Sequence, residues 1–198
     1  MPDKNEYLKL LNLSPAEVLS RVREWSSELS EDEHLIRSVV LEIDANLEAA
    51  LHDVLYEHMR SILPIWGKPE EDAKARQQLR DEVDSMWFGR VWGLLKPCML
   101  AFTEARPELA YVPFIHKARN AAAHPSPEGL DYRGRNLFKD KDCLAQLYFD
   151  YWATMKGIQD FKQHLIDDPT AIAREHARHY NACKKVGATP PETGATEG

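Results

Sequence analysis

Residues 40–59 read Val-Leu-Glu-Ile-Asp-Ala-Asn-Leu-Glu-Ala-Ala-Leu-His-Asp-Val-Leu-Tyr-Glu-His-Met. Within them Val40, Ile43, Leu47, Ala50, Leu51, Val54, Leu55 and Met59 recur at intervals of three and four. A turn of about 3.6 residues gathers such positions into one apolar stripe, so this stretch is a helix with one face in a core.

The flanks carry start and stop signals. Ser30-Glu31-Asp32-Glu33 has the spacing of an N-cap and capping box, and Pro64 and Gly67 break the chain, so the helix should run to about Leu63. Ser14-Pro15-Ala16-Glu17 repeats the start signal and opens a helix to about Leu29, with Trp25 and Leu29 available to dock it. Residues 69–86 are dense in charge, with only Leu79 and Val83 as apolar contributors, which predicts a peripheral helix. Trp87, Phe88, Val91, Trp92, Leu94 and Leu95 predict a strongly apolar core helix, kinked at Pro97. Residues 106–109 read as a loop. A last core helix is expected from Asp140 to about Leu165, carrying Leu144, Leu147, Tyr148, Tyr151, Trp152, Met155 and Ile158. Residues 171–185 can form one more helix, and the small, polar residues 187–198 read as a disordered tail. No repeat and no strand is predicted. The fold class is therefore all-α, a bundle of about five to seven helices. Its parts are a docking helix in residues 1–30, the bundle in 31–165, a C-terminal helix in 166–186 and the tail.

Composition narrows the function. A chain of 198 residues with 43% hydrophobic and 29% charged residues is long enough for one domain with a proper core. No apolar run approaches the roughly 20 residues that span a bilayer, and the first residues lack signal-peptide character, so a cytoplasmic protein without a membrane partner is expected. Cys98, Cys143 and Cys183 lie far apart, with no C-x-x-C pair, and read as buried fillers. The net charge of −7 argues against a general nucleic-acid coat but leaves room for a local basic cleft.

Such a neighbourhood surrounds Arg119-Asn120-Ala121-Ala122-Ala123-His124-Pro125. The helix holding this run should begin at Pro113 and end before Pro125. At about 100° per residue, Arg119, Ala123, His116, Asn120 and His124 share one side, with Phe114, Ile115, Ala118, Ala121 and Ala122 turned inward. Arg119 offers a planar fork that matches two phosphate oxygens. Imidazole exchanges protons near neutrality, which suits His124 to acid–base work. Asn120, one turn before it, can orient the imidazole or a substrate. Lys117, Arg133, Arg135, Lys139 and Lys141 add positive charge nearby. Exposed helices also carry Arg, Asn and His simply for solubility, and spacing alone favours that plainer reading.

The motif resembles the R-x(4–6)-H signature of the HEPN superfamily (higher eukaryote and prokaryote nucleotide-binding domains), over roughly residues 31–165. The resemblance implies a small, commonly dimeric α-helical bundle. Many members are metal-independent endoribonucleases of toxin, antiphage and RNA-processing systems; others are noncatalytic modules that bind nucleotide, RNA or a regulatory partner. It assigns Arg119, Asn120 and His124 as catalytic residues; the local positive charge, and not the resemblance, makes Lys117, Arg133 and Arg135 substrate-binding candidates, with His116 added from the same helix face. It also implies an acidic residue on an early helix facing the motif, for which Asp44 and Glu48 both qualify. Expected partners are RNA or nucleotide, a second copy of the chain, and an antitoxin or regulatory protein. A subset of the family's toxins carries a tyrosine two residues after the histidine for modification by an antitoxin; Ser126 stands there, which argues against that control.

No cofactor is expected. His176 and His179 with Glu175 and Cys183 could be imagined around a metal, but the H-E-x-x-H arrangement is missing and no metal site is assigned. P-loop, dinucleotide-binding and serine-hydrolase motifs are likewise missing.

Overall fold

The computed structural model describes residues 9–29, 32–62, 69–102, 106–124, 129–168, 170, 174, 177, 178 and 181. Among them are six α-helices: α1 (Pro15–Leu29), α2 (Glu33–Ile62), α3 (Pro69–Asp84), α4 (Phe88–Phe102), α5 (Val112–Ala123) and α6 (Lys141–Asp167). The protein is an all-α bundle. Ser30, Pro64, Gly67, residues 125–128, the tail and most of the proposed final helix, including Glu175, His176, His179 and Cys183, lie outside the described residues.

Local chemistry starts the helices near where the sequence places them, with the second capped two residues later than the expected Ser30. In α1 the Ser14 N–H donates to Glu17 Oε2 at 2.9 Å, and the Glu17 N–H reaches Ser14 Oγ at 3.5 Å, a reciprocal capping box. Helix α2 is capped by Asp32, whose Oδ1 accepts the N–H groups of His34 and Leu35 at 2.9 and 3.0 Å. Asp140 caps α6 by accepting the Cys143 N–H at 3.1 Å.

The apolar stripe of α2 is the centre of the molecule. Val40, Ile43, Leu47 and Leu51 are fully buried; α5 and α6 pack on this helix, α3 and α4 also lie against it, and α1 runs along α6. Trp25 meets Tyr148 edge-on at 5.9 Å, and the Trp152 Nε1–H donates to the Leu10 carbonyl at 2.8 Å, tying the N-terminal region to α6. Helix α3 is peripheral as expected, yet anchored: Val83 is buried, and Arg80 both pairs with Asp53 at 2.6 Å and covers the Tyr56 ring.

Five expectations change, the smallest being Leu94 of α4, which is 37% exposed rather than core. Trp87 is not core; it precedes α4, is 71% exposed and folds its ring over Gly89. Phe114 is not turned inward but is 47% exposed, because the buried arc of α5 is Val112, Ile115, Ala118 and Ala122, rotated toward α2. Residues 107–111 form a 3₁₀ turn rather than an open loop, since Pro107 presets its first turn and Leu109 is buried. A small hairpin also joins α5 to α6: β1 (Asp131–Tyr132) pairs antiparallel with β2 (Arg135–Asn136), Asp131 opposite Asn136. Its two turn residues, Arg133 at φ 53° and Gly134 at φ 81°, both adopt the left-handed conformation that tight hairpins require. Buried Leu130 and Leu137 hold it to the bundle, with the Leu137 N–H donating to the Leu130 carbonyl at 2.8 Å.

His58 yields a stability prediction. It is buried, its Nδ1 has no hydrogen-bond partner among the described residues, and burial lowers its pKa below the ordinary 6.5. The unfolded chain takes up a proton near pH 6.5, whereas the folded chain resists it, so stability is full above that value and declines as pH falls toward the folded pKa. His58→Leu should remove this component. Thermal melts of both proteins from about pH 8 to about pH 5 should diverge below pH ~6.5 in favour of the variant. Parallel curves would refute the assignment.

Candidate functional site

The site begins on α5. Tyr111 stands before its first residue, Pro113 lies in its first turn and His124 is its C-cap, with the His124 N–H donating to the Asn120 carbonyl at 3.1 Å. The last-turn carbonyls of α5 are claimed from α2: Arg37 Nη1 donates to Ala121 O and Ala122 O, both at 3.3 Å. The same guanidinium lies 4.9 Å from the centroid of the Phe138 ring. Arg37 therefore fixes the end of the helix that carries Asn120 and His124. It is 84 residues away from Ala121, and no local pattern announces it.

One turn inward lies a buried carboxylate. Asp44 on α2 is 1% exposed, and both of its oxygens face α5. His116 Nδ1 lies 3.1 Å from Oδ1 and 3.3 Å from Oδ2, and Arg119 Nε lies 3.6 Å from Oδ2. Because an ionised carboxylate only accepts, the Nδ1 of His116 carries the hydrogen and its Nε2 holds the lone pair when the ring is neutral. The His116 ring also stacks on Phe88 of α4, with centroids 3.6 Å apart and planes 5° apart. Of the two acids the sequence offers, Asp44 thus meets the motif. Its signal was an acidic residue inside the apolar arc of Val40, Leu47 and Leu51, whereas Glu48 projects at the edge of that arc.

The motif side chains divide between two directions. His116, whose side chain is 24% exposed, and Arg119, at 42%, lean onto the α2 flank at Asp44. Asn120, Lys117 and His124 face solvent. Arg119 Nη1 donates to Asn120 Oδ1 at 3.1 Å, which links the two groups. The His124 ring has no hydrogen bond to a described residue, so it is available to a ligand.

Arg133 and Arg135 lie elsewhere. They line a cleft of about 410 Å³ together with Tyr111, Tyr132, Cys143 and Gln146, beside the N-terminal end of α5. As α5 has 12 residues, roughly 18 Å of helix separates that end from His124. Asp150, buried in α6, organises this region: its carboxylate accepts the Tyr132 hydroxyl at 2.7 Å, Arg133 Nη1 at 2.9 Å and Gln146 Nε2 at 2.7 Å. Burial, with Asp150 alongside, pushes the Tyr132 phenol well above the ordinary tyrosine range. Hydrogen bonding to Asp140 holds Arg135 firmly charged and keeps the Asp140 carboxyl below the usual range. Burial raises the Cys143 thiol to about 11, which makes it a poor nucleophile.

Among the described residues no group of three or more His, Cys, Asp or Glu side chains could hold a metal, and no helix is long and apolar enough to cross a membrane. The fold and site together define a helical bundle in which Arg119 and His116 of one helix meet a buried aspartate while Asn120 and His124 face solvent. No protein-family model, curated protein or solved structure matches the chain.

Proposed function

We propose that this protein is a metal-independent endoribonuclease of the HEPN type that cleaves single-stranded or looped RNA. The observation that carries this reading is the buried Asp44 carboxylate facing Arg119 and His116, which fixes the motif arginine beside exposed Asn120, on the helix that exposed His124 caps. In the reaction the ribose 2′-oxygen attacks phosphorus, the bond to the 5′-oxygen breaks, and the product carries a 2′,3′-cyclic phosphate. Arg119 stabilises charge on the pentacoordinate phosphorus, and Asn120 orients substrate. His124 takes the 2′-proton, and a second imidazole protonates the leaving oxygen. A two-fold dimer that apposes two copies of α5 supplies that second group from the partner's motif. A toxin, antiphage or RNA-processing role in the cytoplasm, held in check by an antitoxin or regulatory protein, accords with this activity.

A second reading is a noncatalytic module that binds RNA, nucleotide or a regulatory protein. It is favoured by the internal engagement of Arg119, whose Nε faces Asp44 and whose Nη1 is bound to Asn120. The two separate in one assay: purified protein incubated with mixed RNA in EDTA. Fragments ending in cyclic phosphate support the nuclease. RNA retained intact on the protein supports the module and excludes the nuclease.

A further inference from the structure

We propose that the hairpin cleft is a second binding site, distinct from the motif face, for a small phosphomonoester. Its walls are two guanidinium groups held in place from behind. Arg133 is fixed by Nη1 to Asp150 at 2.9 Å and lies with its guanidinium carbon 5.0 Å from the centroid of the Tyr111 ring. Arg135 is fixed by Nε to Asp140 at 2.8 Å. The carboxylates have other claims on them: Asp150 also accepts from Tyr132 and Gln146, and Asp140 also caps α6. This leaves Nε and Nη2 of Arg133, and Nη1 of Arg135, without an acceptor among the described residues.

Both side chains are partly open to solvent, 41% and 47%, so their unspent donors can reach a ligand. Preorganised guanidinium forks match phosphate oxygens and lose little freedom when an anion arrives. A second observation concerns the backbone. Arg133 occupies φ 53°, a conformation that glycine or asparagine adopts at lower cost, and it is the residue that projects a cation into the cleft. At about 410 Å³ the space exceeds an inorganic ion and admits a sugar phosphate, with Tyr111, Gln146 and Cys143 to meet its body.

This inference does not rest on the nuclease reading, because binding rather than cleavage is measured. The probe is ribose 5-phosphate, with ribose as the uncharged control, titrated calorimetrically into the full chain. Expected are heats for the phosphate ester and none for ribose. Arg135→Ala breaks an exposed ion pair at small cost to folding and should weaken binding about tenfold or more. Arg133→Lys keeps a charge beside Asp150 but removes the fork, and it too should weaken binding, which covers the case of an unfolded alanine variant. Arg119→Ala should leave the affinity unchanged. The proposal is overturned if ribose 5-phosphate gives no heat at millimolar concentration, if both hairpin variants bind as well as wild type, or if only Arg119→Ala loses binding.

Discussion

Arg119→Ala and His124→Ala are each expected to lower RNA cleavage by about 100- to 10,000-fold, the range associated with losing a charge stabiliser or an acid–base group. The two should differ in stability. His124 is exposed and its ring makes no hydrogen bond to a described residue, so its replacement should leave the melting temperature within the narrow band of ordinary surface substitutions. Arg119 shares Asp44 with His116, and its removal takes the guanidinium away from a buried carboxylate. Arg119→Lys separates these effects: it keeps a charge near Asp44 while losing the planar fork, so cleavage should stay low in a protein that melts near wild type. Cleavage measured by release of cyclic phosphate decides the matter. Variants that cut as fast as wild type would remove Arg119 and His124 from the chemistry.

Asp150→Ala should cost about 2–4 kcal/mol and lower the melting temperature by roughly 5–15 °C. The substitution strands the buried Tyr132 hydroxyl, frees the Gln146 amide and leaves Arg133 beside an apolar wall. Because the Arg133 side chain is 41% exposed, water can recover part of its loss, which places the estimate below the upper end for a buried pair. Pairing the change with Tyr132→Phe tests the cause. With the orphaned hydroxyl removed as well, the double variant should be less destabilised than the sum of the two single changes. A change under about 0.5 kcal/mol for Asp150→Ala would show that the hairpin is not anchored through this carboxylate.

Much of the molecule was legible in the chain. The apolar stripe of α2, the capping box at Ser14 and the core positions of α6 are local patterns, and each became the helix expected. The limits of α5 were legible to within a residue from the sequence positions of two prolines, 113 favouring a first turn and 125 disfavouring helix at the residue before it. The hairpin was not, because Arg133 occupies a turn position that usually announces itself with asparagine or glycine. Trp87 misled for another reason: a large aromatic beside an apolar helix usually joins the core, yet this one falls just before the first turn of α4.

The candidate site divides along the same line. Residue types and their order along α5 are properties of the sequence, and they put Arg119, Asn120 and His124 on one helix within two turns. Which of them turn toward the interior depends on how α5 is rotated against α2, and a helical pattern leaves that rotation open by tens of degrees. Packing chose the side of Val112, Ile115, Ala118 and Ala122, and this turned Arg119 and His116 onto Asp44 while Asn120 and His124 stayed in solvent. The same packing brought Arg37 to the end of α5 and separated Arg133 and Arg135 from the motif face. By itself the sequence determined helices, caps and the inventory of reactive groups, because these depend on neighbours a few residues away. Only the tertiary structure decided which groups meet, because a carboxylate and the guanidinium it faces are joined by burial in one core rather than by any pattern along the chain.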